Sequence, residues 1–261
     1  MTAYETWQLP TRRLGRAVRV YERLESTSDV AGALARDRAN DGVIVLAREQ
    51  TAGRGQYGRR WECPPGSGVL LSAVIFPPPP LRRPALLTAW AAVSVCETVR
   101  GLTGMQAQIK WPNDVLVLGR KVCGILIEQS LAANGQPHGT VVGVGVNVNQ
   151  TAETFAAAGL PDAASLAVFT GQPHAWGETA RRLIAALDEE YDRLCGGDRA
   201  TLEASWQRHV GLLGEDVVAE CPDGSHRGRL VEMGWDGLVL RGEDGALRRL
   251  VPEAVRHLRP A

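Results

Sequence analysis

The chain has 261 residues, enough to bury a sizeable core as one large domain or as a medium domain with a small one. Basic and acidic residues balance at 29 each, which excludes a polyanion binder by bulk charge, and 44% hydrophobic against 22% charged residues excludes a disordered chain. The apolar runs are too short and interrupted to predict a membrane span. The four arginines of residues 1–20 surround no secretory signal, and five cysteines without a Cys-x-x-Cys pair argue against zinc or disulfide frameworks and for a reducing, cytoplasmic setting.

Residues 1–20 read as a strand or loop lead-in. Ser26, Thr27, Ser28 and Asp29 supply cap chemistry for an alanine-rich helix predicted to run to about Ala39, before a turn at Asn40-Asp41-Gly42. The apolar runs Val43–Ala47 and Val69–Phe76 predict buried strands on either side of a polar, glycine-rich loop from Gln50 to Gly68, and Pro77–Pro80 stop the second. Pro84–Leu102 is apolar nearly all round and predicts a helix inside the fold. A strand over Gln106–Trp111, a turn at Pro112-Asn113-Asp114 and a hairpin of Val115–Leu118 with Val122–Gln129 follow. Asn134-Gly135 predicts a further turn, and Thr140–Asn149 a valine-rich strand in which Gly143 and Gly145 allow close backbone approach. Helical spacing returns over Trp176–Leu194, stopped by Gly196-Gly197, and again over Thr201–Val210. After Gly211, four or five short strands separated by Asp-Gly turns predict a small all-β module.

Three stretches carry chemistry. Gly53-Arg54-Gly55-Gln56-Tyr57-Gly58 has the literal spacing of a dinucleotide fingerprint, but Arg59-Arg60-Trp61 leading into Pro64-Pro65-Gly66 forbids the helix that fingerprint opens. What remains is a loop of accessible backbone N–H groups and forked cations, suited to a phosphate or carboxylate, with Trp61 placed to stack or cover; an exposed loop ahead of a buried tryptophan is the plainer alternative. Lys110-Trp111-Pro112-Asn113-Asp114 brings a cation, an amide and a carboxylate off one strand end, as a turn alone or as a cluster for nucleotide phosphates and Mg²⁺. In the third stretch, Gly119–Glu128, Lys121 opens a buried strand, alternation puts it on one face with Cys123, and Gly124 clears space for a pocket. Of the 29 basic residues only Lys110 and Lys121 are lysine, one in each of the last two stretches; an arginine-favouring codon bias and a chemical need for a compact ammonium both account for this.

Taken together, Gly-Arg-Gly-x-x-Gly-Arg-x-Trp at 53–61, Lys-Trp-Pro-Asn-Asp at 110–114, Arg-Lys-x-x-Gly-Ile-Leu-x-Glu at 120–128 and Gly-x-Gly-x-Asn at 143–147 resemble the bacterial biotin protein ligases, also called biotin–[acetyl-CoA-carboxylase] ligases, from about residue 20 to the C-terminus. The resemblance implies an α/β (α+β) fold. A class II aminoacyl-tRNA synthetase-like catalytic domain with a mixed sheet is expected over residues 1–210, with 1–20 as lead-in, and a small SH3-like β-barrel over 211–261. The implied reaction activates biotin with ATP as biotinyl-5'-AMP and transfers it to a lysine of a biotin carboxyl carrier protein, with Mg²⁺ as the accompanying ion.

By the same resemblance Arg54 and Lys121 are the catalytic candidates, Lys121 where the biotin carboxylate and α-phosphate meet. Ser26, Thr27, Ser28, Gln50, Arg54, Gly55, Gln56, Lys121 and Gly124 are implied to face biotin. Arg54, Trp61, Lys110, Asn113, Lys121 and Asn147 are implied to face the nucleotide, and Asp114 to serve Mg²⁺; no general base stands out. Gln56 takes the place of an arginine that in the family orders the loop over the adenylate, and Arg59 or Arg60 is available to compensate. Only about 20 residues precede the catalytic region, so no DNA-binding winged helix and no DNA partner are expected; dimerisation, common in the family, is a possibility. A lipoate or octanoate ligase of the same superfamily and a non-catalytic biotin sensor are the rival readings, and the Ser-Thr-Gln set favours a polar-headed ligand, because buried polar groups must be paired.

Overall fold

The structure is a computed structural model that describes residues 3–131 and 137–261; the turn predicted at Asn134-Gly135 lies outside them. The chain runs β1 (Glu5–Trp7), β2 (Val18–Leu24), α1 (Thr27–Leu34), β3 (Ile44–Gln50), β4 (Gly68–Ile75), α2 (Pro84–Thr103), β5 (Ala107–Lys110), β6 (Asp114–Val117), β7 (Arg120–Leu131) and β8 (Pro137–Asn147). The helices α3 (Ala152–Ala157), α4 (Leu166–Thr170), α5 (Trp176–Cys195) and α6 (Arg199–Val210) follow, then β9 (Asp216–Cys221), β10 (Gly224–Gly234), β11 (Gly237–Arg241), β12 (Leu247–Leu250) and β13 (His257–Pro260).

The first eight strands form one sheet in the order β1-β2-β3-β4-β8-β7-β6-β5. It is mixed, because β2 and β3 are parallel while the other pairs are antiparallel. Both faces are covered, and strand alternation sorts the side chains between them. On β3, Ile44 and Leu46 enter the main core with Leu87 and Trp90 of α2 and Leu183 and Leu187 of α5. Val45 and Ala47 enter a smaller core with Ala31 of α1.

The α1 helix starts where its cap residues predict, the Ser26 side chain accepting from the Ser28 backbone N–H. It stops at Leu34, short of the predicted Ala39, because Asp37 caps a separate short turn by accepting from Ala39 N–H at 2.9 Å. By length and composition α2 could cross a membrane, contrary to the expectation that no segment could, but 72% of its apolar window is buried inside the fold, which makes it the core helix.

The lead-in to β2 is tied down by a single carboxylate. Asp188 of α5, itself buried, accepts from the backbone N–H groups of Arg12, Arg13 and Leu14 at 2.8, 2.7 and 2.7 Å.

The last five strands form an antiparallel sheet of SH3-like type in the order β12-β11-β10-β9-β13. Three indoles join it to the first sheet. Trp206 of α6 packs on Trp111 at 5.6 Å and stacks on Trp235 at 4.8 Å between ring centres. The Trp111 indole N–H donates to the Val255 carbonyl at 2.7 Å, ahead of β13. The tryptophan of the Lys-Trp-Pro-Asn-Asp stretch is thus a rivet between the two sheets, placed beside a cis bond to Pro112.

Candidate active site

A cleft of about 320 Å³ opens on the α1 side of the first sheet, within the range of small-molecule sites. Its floor is made of glycine. On β8, Val142, Val144 and Val146 point into the main core, which leaves Gly143, Gly145 and Asn147 on the cleft face. Gly124 of β7 pairs across to Gly145. The Trp61 ring lies directly over this pair: a Cβ at Gly145 would come within 2.5 Å of Trp61 Cε2, and one at Gly124 within 2.9 Å of Cζ3. The glycines are therefore there to receive the indole, and Trp61 covers the floor. Its indole N–H is buried with no acceptor among the described residues.

At one end the wall is polar. The Thr27 backbone N–H and hydroxyl both donate to Gln50 Oε1, at 2.7 and 2.9 Å. Ser26, Thr27 and Gln50 line the cleft. Ser28, expected beside them, lies one layer behind, buried and 3.3 Å from the hydroxyl of Ser72.

At the other end stands Lys121, and here the sequence expectation needs correction. Lys121 and Cys123 do not share a face. Leu116 of β6 pairs with Lys121 and Val115 with Cys123, so Val122 is an extra residue and β7 carries a bulge. The cause lies outside the β6–β7 pair: Lys121 gives its N–H to the Asp162 carbonyl at 2.7 Å and its carbonyl to Ala164 N–H at 2.9 Å. The bulge sends Val122 and Cys123 into the core and Lys121 to the side of Gly124, in the cleft. Burial pushes the Cys123 thiol well above its ordinary pKa, against the pull of the Lys121 charge, so it is no nucleophile. Lys121 Nζ meets Asp114 Oδ1 at 2.6 Å and stands 5.6 Å from the centre of the Trp61 ring.

The glycine–arginine stretch is a hairpin-like arm, not a helix start. Gly55 N–H donates to the Arg59 carbonyl at 2.7 Å and Trp61 N–H to the Gly53 carbonyl at 3.0 Å, with Tyr57 and Gly58 turning the tip at positive φ. Gly53 is required because a Cβ there would meet the Trp61 carbonyl at 2.4 Å. The Arg54 guanidinium reaches Asp29 of α1 at 2.6 Å and Glu128 of β7 at 3.3 Å, clasping the arm across the cleft. Partial burial works against its charge, but the two carboxylates prevail and hold its pKa above the ordinary value.

Gly55, Gln56, Arg59, Lys110 and Asn113 also line the cleft. Asn113 donates to the Ile125 carbonyl at 2.7 Å, fixing the turn after β5, and Asn147 is braced by Gln150 at 2.9 Å. Arg60 is engaged by the Thr51 carbonyl, whereas Arg59 and Lys110 have no ion-pair partner among the described residues. Sequence reasoning missed three participants. Asp29 and Glu128 are the partners of Arg54, and His257 of β13 brings an imidazole from the second sheet to the cleft. It also missed Ser72, although that is the single polar residue in the apolar run Val69–Phe76.

Residues 20–147 match the family described as Biotin/lipoate A/B protein ligase family. A biotin–[acetyl-CoA-carboxylase] ligase of Paracoccus denitrificans is 33% identical over 225 residues, 80% of this chain and 88% of that one. The bifunctional ligase/repressor BirA of Bacillus subtilis is 28% identical over 242 residues, 93% of this chain and 74% of that one. Among solved structures, the biotin protein ligase of Aquifex aeolicus in complex with biotin and ATP superposes with a TM-score of 0.76 at 24% identity, covering 94% of this chain and 99% of that one, which establishes a common fold.

Proposed function

The chain belongs to the biotin/lipoate A/B protein ligase family, on its biotin ligase side, and from that premise we propose how its cleft joins biotin to protein. Biotin is activated with ATP and passed to a lysine amine, which we take to be that of a biotin carboxyl carrier domain. The observation that carries the reading is the cleft's polarity. A hydrogen-bonding wall at Ser26, Thr27 and Gln50 faces, across a glycine floor, an ammonium at Lys121. A cyclic urea at one end and a carboxylate at the other fit that order.

In the first step a carboxylate oxygen attacks the α-phosphorus of ATP and pyrophosphate leaves. Two anions must meet, so fixed positive charge where negative charge accumulates lowers the barrier. Lys121 supplies it as a compact ammonium able to touch oxygens of both reactants, and Asp114 holds that ammonium in place. Lys110 and Arg59 line the cleft as further cations for the phosphates. Arg54, clasped to Asp29 and Glu128, acts by closing the arm, which brings the backbone of Gly55 and Gln56 over the bound acid. In the second step the acceptor amine, freed of its proton, attacks the carbonyl and AMP leaves.

Mg²⁺ fits this cleft as a companion of the nucleotide. It needs only one or two protein carboxylates beside phosphate oxygens, and Asp114 and Glu62 line the cleft. When bound, it neutralises triphosphate charge. Five free cysteines suit the reducing cytoplasm in which we place the enzyme.

Exchange of labelled pyrophosphate into ATP tests the acid specificity. Exchange is expected with biotin and not with lipoate, whose apolar ring would leave the Gln50 and Thr27 groups unpaired, at a cost of about 10⁴-fold in discrimination. Exchange with lipoate alone would overturn the biotin reading.

Gln56 gives a second expectation. A neutral amide at the tip of the arm secures the mixed anhydride less firmly than a cation. Wild-type enzyme given biotin and ATP without acceptor is expected to label lysines of a bystander protein, and Gln56→Arg to reduce that labelling, both read by mass spectrometry. Equal labelling by the two proteins would remove the role given to Gln56.

A further inference from the structure

Ser72 lies at the centre of β4, on the α1 face of the sheet, where its neighbours on that face, Leu70 and Val74, are apolar. It is fully buried, and a hydroxyl in that position must be paired. Its oxygen is 2.8 Å from the Thr27 hydroxyl and 3.3 Å from the Ser28 hydroxyl.

The direction of every proton in this cluster follows from one fixed point. The Thr27 backbone N–H can only donate, so the Gln50 atom 2.7 Å from it is the carbonyl oxygen. Thr27 Oγ1 lies 2.9 Å from the same oxygen. Two oxygens at that distance need a proton between them, and only Thr27 has one to give. With its proton committed to Gln50, the Thr27 oxygen can only accept from Ser72. Ser72, its own proton committed to Thr27, can only accept from Ser28. The chain therefore runs Ser28 to Ser72 to Thr27 to Gln50, each hydroxyl donating to the next.

Two consequences reach the cleft. The Thr27 oxygen is left with a lone pair and no proton, so toward a ligand it is an acceptor only. The Gln50 carbonyl accepts two hydrogen bonds, which polarises the amide and strengthens its NH₂ as a donor; that NH₂ lies beside Gly53, with no partner among the described residues. A cyclic urea offers an N–H to the Thr27 oxygen and a carbonyl to the Gln50 NH₂.

We propose that Ser72 is a positioning residue for ligand specificity, a buried hydroxyl that touches no ligand but, by donating to the Thr27 oxygen, holds that hydroxyl in the rotamer that keeps its proton on Gln50 and its remaining lone pair toward the head of the bound acid. The proposal rests on the reading of that acid as biotin.

A double-mutant cycle on the full chain tests it, with biotin and MgATP affinities measured separately by calorimetry. Ser72→Ala is expected to weaken biotin about tenfold, the order of one buried hydrogen bond, and to leave MgATP unchanged. Ser72→Thr, which keeps the hydroxyl, is expected to stay within about threefold of wild type on the same scale. Because Ser72 acts through Thr27, Ser72→Ala in a Thr27→Val background is expected to add less than about twofold. Wild-type biotin affinity in Ser72→Ala, losses that multiply in the double variant, or a parallel loss of MgATP affinity would each overturn the proposal. Failure of wild-type enzyme to bind biotin at all would instead bring down the biotin reading and the proposal with it.

Discussion

Lys121→Ala is expected to slow biotinyl-adenylate formation by about 10²- to 10³-fold or more, the effect of removing one preorganised charge from a transition state that brings two anions together. The loss should fall on kcat of the first step, read as adenylate accumulation by rapid quench, with the melting temperature little changed because Lys121 belongs to no core cluster. Lys121→Arg is not expected to restore the rate. A planar guanidinium is larger and differently directed than the ammonium now held 2.6 Å from Asp114 and beside the Trp61 ring. Asp114→Asn should give an intermediate loss, since the ammonium stays but its tether weakens. Near-normal adenylate formation by Lys121→Ala would refute the role assigned to it.

The second large effect concerns the floor. Gly145→Val places side-chain atoms where the Trp61 ring now rests, at a site where even a Cβ would be 2.5 Å from Cε2. The indole cannot yield locally, because its own backbone is hydrogen-bonded into the arm at Gly53. The arm must lift, and displacement of that size around reacting groups costs about 10²-fold in rate. kcat/KM for ATP is expected to fall by about that factor in a variant that still folds, as checked by its circular dichroism. A Gly145→Val enzyme within about threefold of wild type would mean that the seat of Trp61 is irrelevant to turnover.

Much of this was legible in the sequence because it is local. The cap at Ser26, the core helix over Pro84–Thr103 and the Asp-Gly hairpins of the second sheet follow from spacing and turn chemistry within a few residues. Pro64 and Pro65 likewise bar a helix after the glycine motif, and the segment before them is the hydrogen-bonded arm.

What escaped was set by distant parts of the chain. The Val122 bulge exists because Lys121 bonds to Asp162 and Ala164, about forty residues on, and no alternation rule contains that information. Arg54 reads as a free cation until the fold brings Asp29 and Glu128 to it from 25 and 74 residues away. Trp111 carries no assigned role in the Lys-Trp-Pro-Asn-Asp stretch, yet its indole N–H is held by the Val255 carbonyl, 144 residues on. Ser72 is the exception, because its signal was present: one hydroxyl in the middle of a strand buried on both faces demands a polar partner.

The most direct test of the whole account is the intact mass of a biotin carboxyl carrier domain incubated with the enzyme, biotin and MgATP. The carrier is expected to gain one biotinyl group, on a single lysine, and the gain to disappear when ATP is omitted or lipoate replaces biotin. An unchanged carrier mass, or a gain that lipoate alone produces, would contradict it.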